Sequence, residues 1–489
     1  MTDSLITRGL QWLGPLLGVG LILAGKAGLS MFGLSGDPLV MLGITVWVAL
    51  WWVTEAMPIG ATSLLPALLL PVTGLLSSEQ TAATYMDRFI LLMMAGFMAA
   101  LAIERCGLHR RLALAVLLTL GASPRRLVLG MLVATALASM WIANTAATLM
   151  MLPIALALIA RLSEGRDLGV FPAALVLAIA YGASIGGIAT PLGTPPNLIY
   201  LGAVEASFGN APGFLDWMLV GVPVSAALIT AAYLYFRHRL ADLPDDAGGR
   251  SVLLAERAAL GPMRADERRV ALVFGVMVLL WVTRRIDLGA AADGTALVLG
   301  WAPLLGMAST VDDATVAVLG ALTLFLWPSS DHPGERLLDW RTARRIPWEV
   351  VLLFGGGLAL ARGFASSGLS AELAGGLGVL DGLPPLLVVA GICLFVTLIT
   401  EVTSNTAITT LLMPILAAFS LATGLPPELT MLPAAISASC AFMMPVATPP
   451  NAVVYGSGVV SVATMARTGV WLNLAGVVIV SLMLWLMVA

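Results

Sequence analysis

Apolar residues fill this chain in long stretches that few polar positions interrupt. The longest run roughly over residues 13–33, 38–75, 172–204, 214–236 and 468–488. A helix needs about 20 apolar residues to cross the hydrocarbon core, so each stretch is long enough for one crossing and the second for two. With the remaining apolar segments, the pattern predicts an all-α polytopic membrane protein of about 11 transmembrane helices plus two re-entrant hairpins.

The hairpins are predicted at 127–160 and 386–422. The first has no charged residue, yet it is too short for two full crossings with a turn. Its middle, residues 139–145, puts polar side chains and irregular backbone at depth, which a membrane tolerates only where they line a cavity. The second hairpin repeats this plan with a tip at 400–406. The two tips are therefore the candidate site.

Prolines interrupt two further apolar stretches, at 172–205 and 430–460. Each break carries three prolines within a few residues, and such a segment cannot stay helical. Its free carbonyl oxygens suit a hard cation such as sodium. Helix N-termini expected near Asn144 and Asn405 offer amide donors and positive dipole ends to an anion.

These features occur twice. Asn144 of the first tip returns as Asn405 (405 − 144 = 261), and Asn197 of the first proline break returns as Asn451 (451 − 197 = 254). If each copy contains an odd number of crossings, the two copies have opposite orientations, as in the inverted repeats of secondary transporters. The repeat predicts two half-sites that build one central site.

The repeat also divides the chain. Residues 1–37 form an N-terminal region with the first transmembrane helix, 38–236 the first inverted repeat, 237–269 a linker, and 270–489 the second repeat. The linker holds seven arginines, which indicates the cytoplasmic side of the membrane. We interpret it as a solvated loop with no further role.

Composition narrows the class of protein. Hydrophobic residues make up 59% of the chain, charged residues 11%, and the mean hydropathy is +0.97, values far from those of soluble proteins. The three cysteines have no metal-binding spacing. No nucleophile with a base, phosphate loop or metal cluster is evident, so a membrane enzyme is disfavoured and no catalytic residue is predicted. A channel would not need two hairpins that meet at one site.

In these motifs the chain resembles the divalent anion/sodium symporter family, the INDY-type di- and tricarboxylate transporters, whose hallmark is a Ser-Asn-Thr motif in each of two hairpins. The resemblance covers nearly the whole chain. It implies scaffold and elevator-type transport domains, a homodimer in membrane lipid, and co-transported sodium with no organic cofactor. It implies a first sodium site at Ser139, Ala143, Asn144 and Gly193, a second at Thr400, Ser404, Asn405 and Ala447, and substrate contacts from Asn144, Thr145, Thr194, Pro195, Ser404, Asn405, Thr406, Thr448 and Pro449.

Ala143 departs from this pattern because it stands where the first motif has serine. The missing hydroxyl removes one hydrogen bond, worth about 0.5 to 1.5 kcal/mol, which is enough to alter substrate preference but not to abolish transport. We expect sodium-coupled symport of a small divalent anion across the bacterial plasma membrane, and we favour a C4-dicarboxylate such as succinate, malate or fumarate. A sodium-independent dicarboxylate exchanger and a sodium-coupled sulfate or citrate transporter are the alternatives.

Glu401 is an ionisable residue at the start of the second predicted tip, 400–406. Ionisable residues inside membranes are functional candidates, so a role in binding a proton or a cation is one interpretation. Its counterpart in the first repeat is Met140 (401 − 140 = 261). We therefore favour a structural hydrogen-bonding role for Glu401.

Overall fold

The computed structural model describes residues 3–121, 123–163, 168–240, 248–290, 296–377 and 382–488. Helices dominate both halves of the chain. The helices before the linker are α1 (Asp3–Lys26), α2 (Asp37–Thr54), α3 (Ile59–Thr62), α4 (Leu65–Thr73), α5 (Ser78–Thr84), α6 (Arg88–Cys106), α7 (Leu108–Leu120), α8 (Pro124–Ser139), α9 (Asn144–Leu162), α10 (Phe171–Ile188), α11 (Pro195–Phe208) and α12 (Phe214–Arg239).

The second half adds thirteen helices and a short antiparallel strand pair within the described residues. The strand pair, in which Ile286 lies opposite Leu299, is an element that the sequence did not predict. The elements are α13 (Gly248–Ala259), α14 (Ala265–Arg284), β1 (Ile286–Ala290), β2 (Ala296–Leu299), α15 (Trp301–Leu304), α16 (Asp313–Leu326), α17 (Trp340–Ala343), α18 (Trp348–Ser367), α19 (Leu369–Leu377), α20 (Pro385–Ile399), α21 (Asn405–Thr423), α22 (Pro427–Thr430), α23 (Leu432–Ala438), α24 (Pro449–Gly456) and α25 (Val462–Val488).

Eight helical segments of the described chain are long and apolar enough to cross a membrane. Shorter apolar helices occupy 59–73, 313–326 and 385–399. The last of these is α20, the first arm of the second predicted hairpin. The membrane class predicted from hydropathy is confirmed, and the count of about 11 crossings stays a prediction.

Helix α10 lies at the centre of the bundle. It is 89% buried and packs against α8, α9, α12 and α24, which explains why its sequence is apolar on every side. Glycine permits its closest contact, since a Cβ added to Gly186 would lie 2.3 Å from the carbonyl oxygen of Ala136 in α8. The backbone of the first hairpin is thus held directly against the first broken helix.

A glycine ends the helix that precedes each hairpin region. Gly107 follows α6 with φ 80°, and Gly368 follows α18 with φ 79°. This left-handed conformation strains residues that have a Cβ, so glycine is the natural residue at the turn. A short helix follows in each half, α7 and α19, and the two glycines are related by the repeat offset (368 − 107 = 261).

Ion pairs tie the first of these turns to the second half of the chain. Arg105, at the end of α6, donates to Asp339 at 2.6 Å, and Arg111 of α7 donates to Glu267 at 3.0 Å. The Thr342 backbone amide, together with Arg105, holds the pKa of Asp339 below its ordinary value. The first contact joins the end of α6 to the start of α17, and the second joins α7 to the start of α14.

The linker differs from the solvated loop that the sequence suggested. Its described part contains the end of α12, all of α13 and the first turn of α14. Helix α13 packs against α7 and α9, with Leu253 fully buried and Glu256 paired to Arg110 at 2.6 Å. The linker was predicted as a loop because its many charged residues outweighed the few apolar residues with which α13 packs.

Candidate functional site: a cavity between two hairpin tips

The two hairpin tips are built in the same way. Helices α9 and α21 begin at Asn144 and Asn405, where the sequence predicts helix N-termini. A hydroxyl five residues earlier donates to each asparagine: Ser139 Oγ to Asn144 Oδ1 at 2.6 Å, and Thr400 Oγ1 to Asn405 Oδ1 at 2.5 Å. The side-chain carbonyl groups are thereby held in place. The amide nitrogens Nδ2 have no hydrogen-bond partner among the described residues and are free to donate to a ligand.

In each of the two breaks in the apolar helices, an asparagine side-chain amide donates to backbone carbonyl oxygens in or beside the unwound segment. Asn197 Nδ2 donates to the carbonyl oxygens of Gly187 and Thr190 at 2.8 and 2.7 Å. Each break resumes as a helix at a proline, Pro195 for α11 and Pro449 for α24. Proline suits a first helical position, because the amide hydrogen it lacks would have no helical partner there.

One cavity of about 930 Å³ connects the tips with the breaks. The residues that the two tips and the two breaks contribute to its lining are uncharged. The residues are Ala143, Asn144, Thr145, Gly193, Thr194, Pro195, Ser404, Asn405, Thr406, Ala447, Thr448 and Pro449, with Val446, Pro450, Val402 and Thr403 beside them.

The electrostatics of the part of the cavity that the tips and breaks form favour an anion. Four helices, α9, α11, α21 and α24, begin at residues that line it. Each helix N-terminus carries about half a positive charge and unpaired backbone amides. Hydroxyl and amide donors stand around these termini, so an anion can be bound without arginine, as the sequence suggested.

Oxygen atoms also converge at the first tip. A Cβ built on Gly187 would lie 3.0 Å from Asn144 Oδ1 and 3.1 Å from the carbonyl oxygen of Gly193. These two oxygens therefore lie close to a common point beside Gly187. Neutral oxygen ligands of this kind suit a hard cation such as sodium.

The structure brings the sequence-predicted residues together. Every predicted substrate contact lines the one cavity. Ser139 and Thr400 are the exceptions among the predicted cation ligands, because both are fully buried behind the tips and reach the site through Asn144 and Asn405. Binding of ions or substrate by these residues stays a prediction.

Sequence reasoning missed three charged residues of the cavity. Glu55 follows α2, Glu104 lies in the last turn of α6, and Arg345 precedes α18. No local motif marks these positions, since only the fold brings three distant helix ends to one cavity.

This architecture, with two hairpin tips and two interrupted helices around one cavity in a membrane bundle, defines a membrane transporter. The description "Sodium:sulfate symporter transmembrane region" belongs to the family model that matches residues 31–489. The chain is therefore a member of this sodium:sulfate symporter family, and the predicted family is confirmed.

Two curated relatives carry the same name, sodium-dependent dicarboxylate transporter SdcS. The protein from Staphylococcus saprophyticus is 41% identical over 489 residues, which covers 97% of this chain and 90% of the relative. The protein from Staphylococcus aureus strain NCTC 8325 is 41% identical over 458 residues, with 91% and 85% covered. The bacterial relatives and the apolar helices confirm a multi-pass protein of the bacterial plasma membrane.

Two solved structures share the fold at low sequence identity. Neisseria gonorrhoeae MtrF matches with a TM-score of 0.61 at 14% identity and covers 98% of this chain and 97% of its own. Alcanivorax borkumensis YdaH matches with a TM-score of 0.56 at 16% identity, covering 92% and 98%. Both are transport proteins, and the comparison establishes the fold of this chain alone.

Proposed function

We propose that this protein is a secondary transporter that imports a small dicarboxylate together with sodium. The observation that carries the proposal is the convergence of four helix N-termini, two asparagine amides and several hydroxyls on one uncharged part of a cavity. Two separated carboxylates can each meet one hairpin tip. The curated relatives are named as dicarboxylate transporters, and among dicarboxylates we favour a C4 compound.

Sodium coupling follows from the charge of such a substrate. A dianion in a membrane cavity needs positive charge, and helix dipoles supply only part of it. Sodium at the first site would be held by Asn144, Gly193 and Ala143 with Ser139 behind them, and at the second by Ser404, Asn405 and Ala447 with Thr400 behind them. Because Asn144 and Asn405 serve both ligands, substrate and sodium would stabilise each other's binding.

The proposed transport cycle uses the two repeats in opposite orientations. The hairpins and broken helices would form an elevator-type transport domain that moves against a scaffold in a homodimer. Glu104 and Arg345 line the cavity, and Arg105, Arg341 and Arg344 lie next to them in the sequence, so by the positive-inside rule these helix ends are cytoplasmic. The structure would then represent the cytoplasm-facing state.

Sulfate is a second candidate substrate, because the matching family is described as sodium:sulfate symporters. A sodium-independent exchanger is the other alternative, since the same cavity would serve it. We propose transport without chemical change of the substrate. Labelled substrate recovered intact after uptake would support this part of the proposal.

The test is uptake of labelled succinate into proteoliposomes under an inward sodium gradient, with choline replacing sodium in a second arm and internal succinate without sodium in a third. Accumulation only with sodium supports the proposal. Uptake that needs only internal succinate shows an exchanger. No uptake in any arm, with sulfate transported instead, contradicts the dicarboxylate assignment.

Two variants connect the uptake to this cavity. Asn144→Ala and Asn405→Ala are each expected to raise the half-saturating concentrations of both sodium and succinate, because each removes an amide that faces both ligands. Asn210→Ala is the matched control, since Asn210 is exposed and lies outside this cavity. Unchanged kinetics in both tip variants would remove the proposed site.

A further inference from the structure

Glu401 is a buried carboxylate that the transport mechanism above does not use. Only 4% of the residue is exposed. Its two oxygens accept hydrogen bonds from the backbone amides of Phe442, Met443 and Met444 at 2.8 to 3.1 Å, and from Asn473 Nδ2 at 2.6 Å. The hydrogen-bonding role expected from the sequence is confirmed. The three amide partners belong to the unwound segment of the second broken helix, and Asn473 belongs to α25.

The first repeat has no counterpart to this arrangement. Met140 occupies the equivalent position, and its backbone carbonyl oxygen accepts a hydrogen bond from Thr190 at 2.6 Å. Helix α10 continues to Ile188, the equivalent of Phe442 (188 + 254 = 442), whereas α23 already ends at Ala438. The second break thus begins about one turn earlier.

The early break leaves amides that a helix would otherwise satisfy. Buried amides without an acceptor cost about 1 to 3 kcal/mol each. In the second repeat the Glu401 carboxylate supplies the acceptors for three consecutive amides.

These contacts reach the second cation site directly. Thr400, the residue before Glu401, donates to Asn405 Oδ1 at 2.5 Å and to the carbonyl oxygen of Ala438 at 3.1 Å. The segment held by Glu401 continues to Ala447 and Thr448, which line the cavity. Glu401 therefore fixes the unwound segment against the tip that it faces.

The carboxylate also makes the two half-sites electrostatically unequal. No Lys, Arg or His nitrogen of the described residues is paired with Glu401, so amide donors alone balance its charge. Negative charge in a region of low dielectric attracts a nearby cation more strongly than it would in water. The first tip, with Met140, has no such charge.

We propose that Glu401 is a positioning residue for the second sodium site, so that sodium binding there depends on its carboxylate and binding at the first site does not. This inference rests on the proposed sodium coupling. Glu401 acts through the backbone of residues 442–444 and through Thr400, and it does not itself contact the substrate cavity.

The experiment titrates purified protein with sodium, replaces sodium by choline at constant ionic strength, and follows the melting temperature. Glu401→Gln is expected to raise the sodium concentration at half-maximal stabilisation about tenfold, the effect of one charge-assisted hydrogen bond. The half-saturating succinate concentration at saturating sodium should change less than about twofold, because substrate groups are untouched. Glu79→Gln is the control, because Glu79 is exposed and the substitution also removes one negative charge.

Double variants separate positioning from general damage to the fold. Combining Glu401→Gln with Ser139→Ala, at the first site, should give additive shifts in the logarithm of the sodium midpoint. Combining it with Thr400→Ala should give clearly less than the sum, because both changes act on one site. Equal additivity in both pairs would overturn the proposal, as would an unchanged sodium midpoint in Glu401→Gln.

If Glu401→Gln does not fold, the same sodium titration is carried out with Asn473→Ala. It removes one of the donors and leaves the three backbone amides, so a shift of about two- to threefold in the same direction is expected. No shift in that variant would overturn the proposal. Wild-type protein that shows no sodium-dependent stabilisation would instead contradict sodium coupling itself, and this inference with it.

Discussion

Gly187 lies so close to Asn144 that a Cβ at position 187 would be 3.0 Å from Asn144 Oδ1. The same Cβ would be 3.1 Å from the carbonyl oxygen of Gly193. The equivalent position in the second repeat is Ala441 (187 + 254 = 441), where a Cβ is present. The first half-site is therefore the more tightly packed of the two at this point.

Gly187→Ala should weaken sodium binding at the first site, because its methyl group would push apart two of the proposed ligand oxygens. We expect the half-saturating sodium concentration of succinate uptake to rise about tenfold, which corresponds to a strain near the lower end of overpacking costs. Ala441→Gly is the matched control and should shift it less than about twofold. Similar sodium dependence in both variants would argue against a cation beside Gly187.

Asn197→Leu should destabilise the first broken helix. It removes the side-chain donor to the buried carbonyl oxygens of Gly187 and Thr190. The Thr190 oxygen keeps the Gly193 amide at 3.3 Å, so the main cost, about 1 to 3 kcal/mol, falls on the Gly187 oxygen. Asn451→Leu should act alike in the second half, because Asn451 Nδ2 donates to Ala441 and Met444 at 3.1 and 3.0 Å. We expect both to lower the melting temperature of the purified protein by several degrees.

The exposed Asn210→Leu is the control for that pair, and it should melt within about a degree of the wild type. A melting temperature unchanged in Asn197→Leu would mean that these bonds do not hold the break.

Ala143→Ser should stabilise the first tip and change substrate preference. Ser404, its counterpart (404 − 143 = 261), accepts a hydrogen bond from the Ala407 amide at 3.4 Å, whereas α9 has no side-chain cap. A serine cap is worth about 0.5 to 2 kcal/mol, so the melting temperature should rise. Competition of succinate uptake by malate, fumarate, sulfate and citrate measures the preference. An identical inhibition profile would show that position 143 does not contact the substrate.

Arg345→Gln should weaken the interaction of substrate with the cytoplasmic side of the cavity. Arg345 lines the cavity and has no carboxylate oxygen within 4.0 Å among the described residues. Its electrostatic partner there is Glu104, which offsets only part of the positive charge that a passing dianion would meet. In inside-out vesicles, we expect the half-saturating succinate concentration to rise about threefold at low salt and less at high salt.

Arg344→Gln is the matched control for this prediction, because Arg344 is the exposed neighbouring arginine and does not line the cavity. Equal effects of the two changes would indicate a general surface-charge effect and not an exit path past Arg345.

The sequence by itself determined the membrane class, the family and the residues of the two tips. Hydrophobic stretches of membrane length leave few other solutions, because every backbone group in hydrocarbon must be paired within the segment. The clustered prolines marked the two helix breaks, and the repeated Asn144 and Asn405 marked the hairpin tips. These signals are local, so they can be read along the chain. The structure added that the helices restart at Pro195 and Pro449.

Only the tertiary structure decided which distant groups meet. Arg345 and Glu104 reach the cavity from helix ends far apart in sequence, and α13 packs on the first hairpin region although its charges suggested a loop. The clearest case is Glu401, whose partners at 442–444 are set by where α23 ends. The two repeats look alike in sequence, and their unequal helix lengths emerge only when each buried amide must find an acceptor.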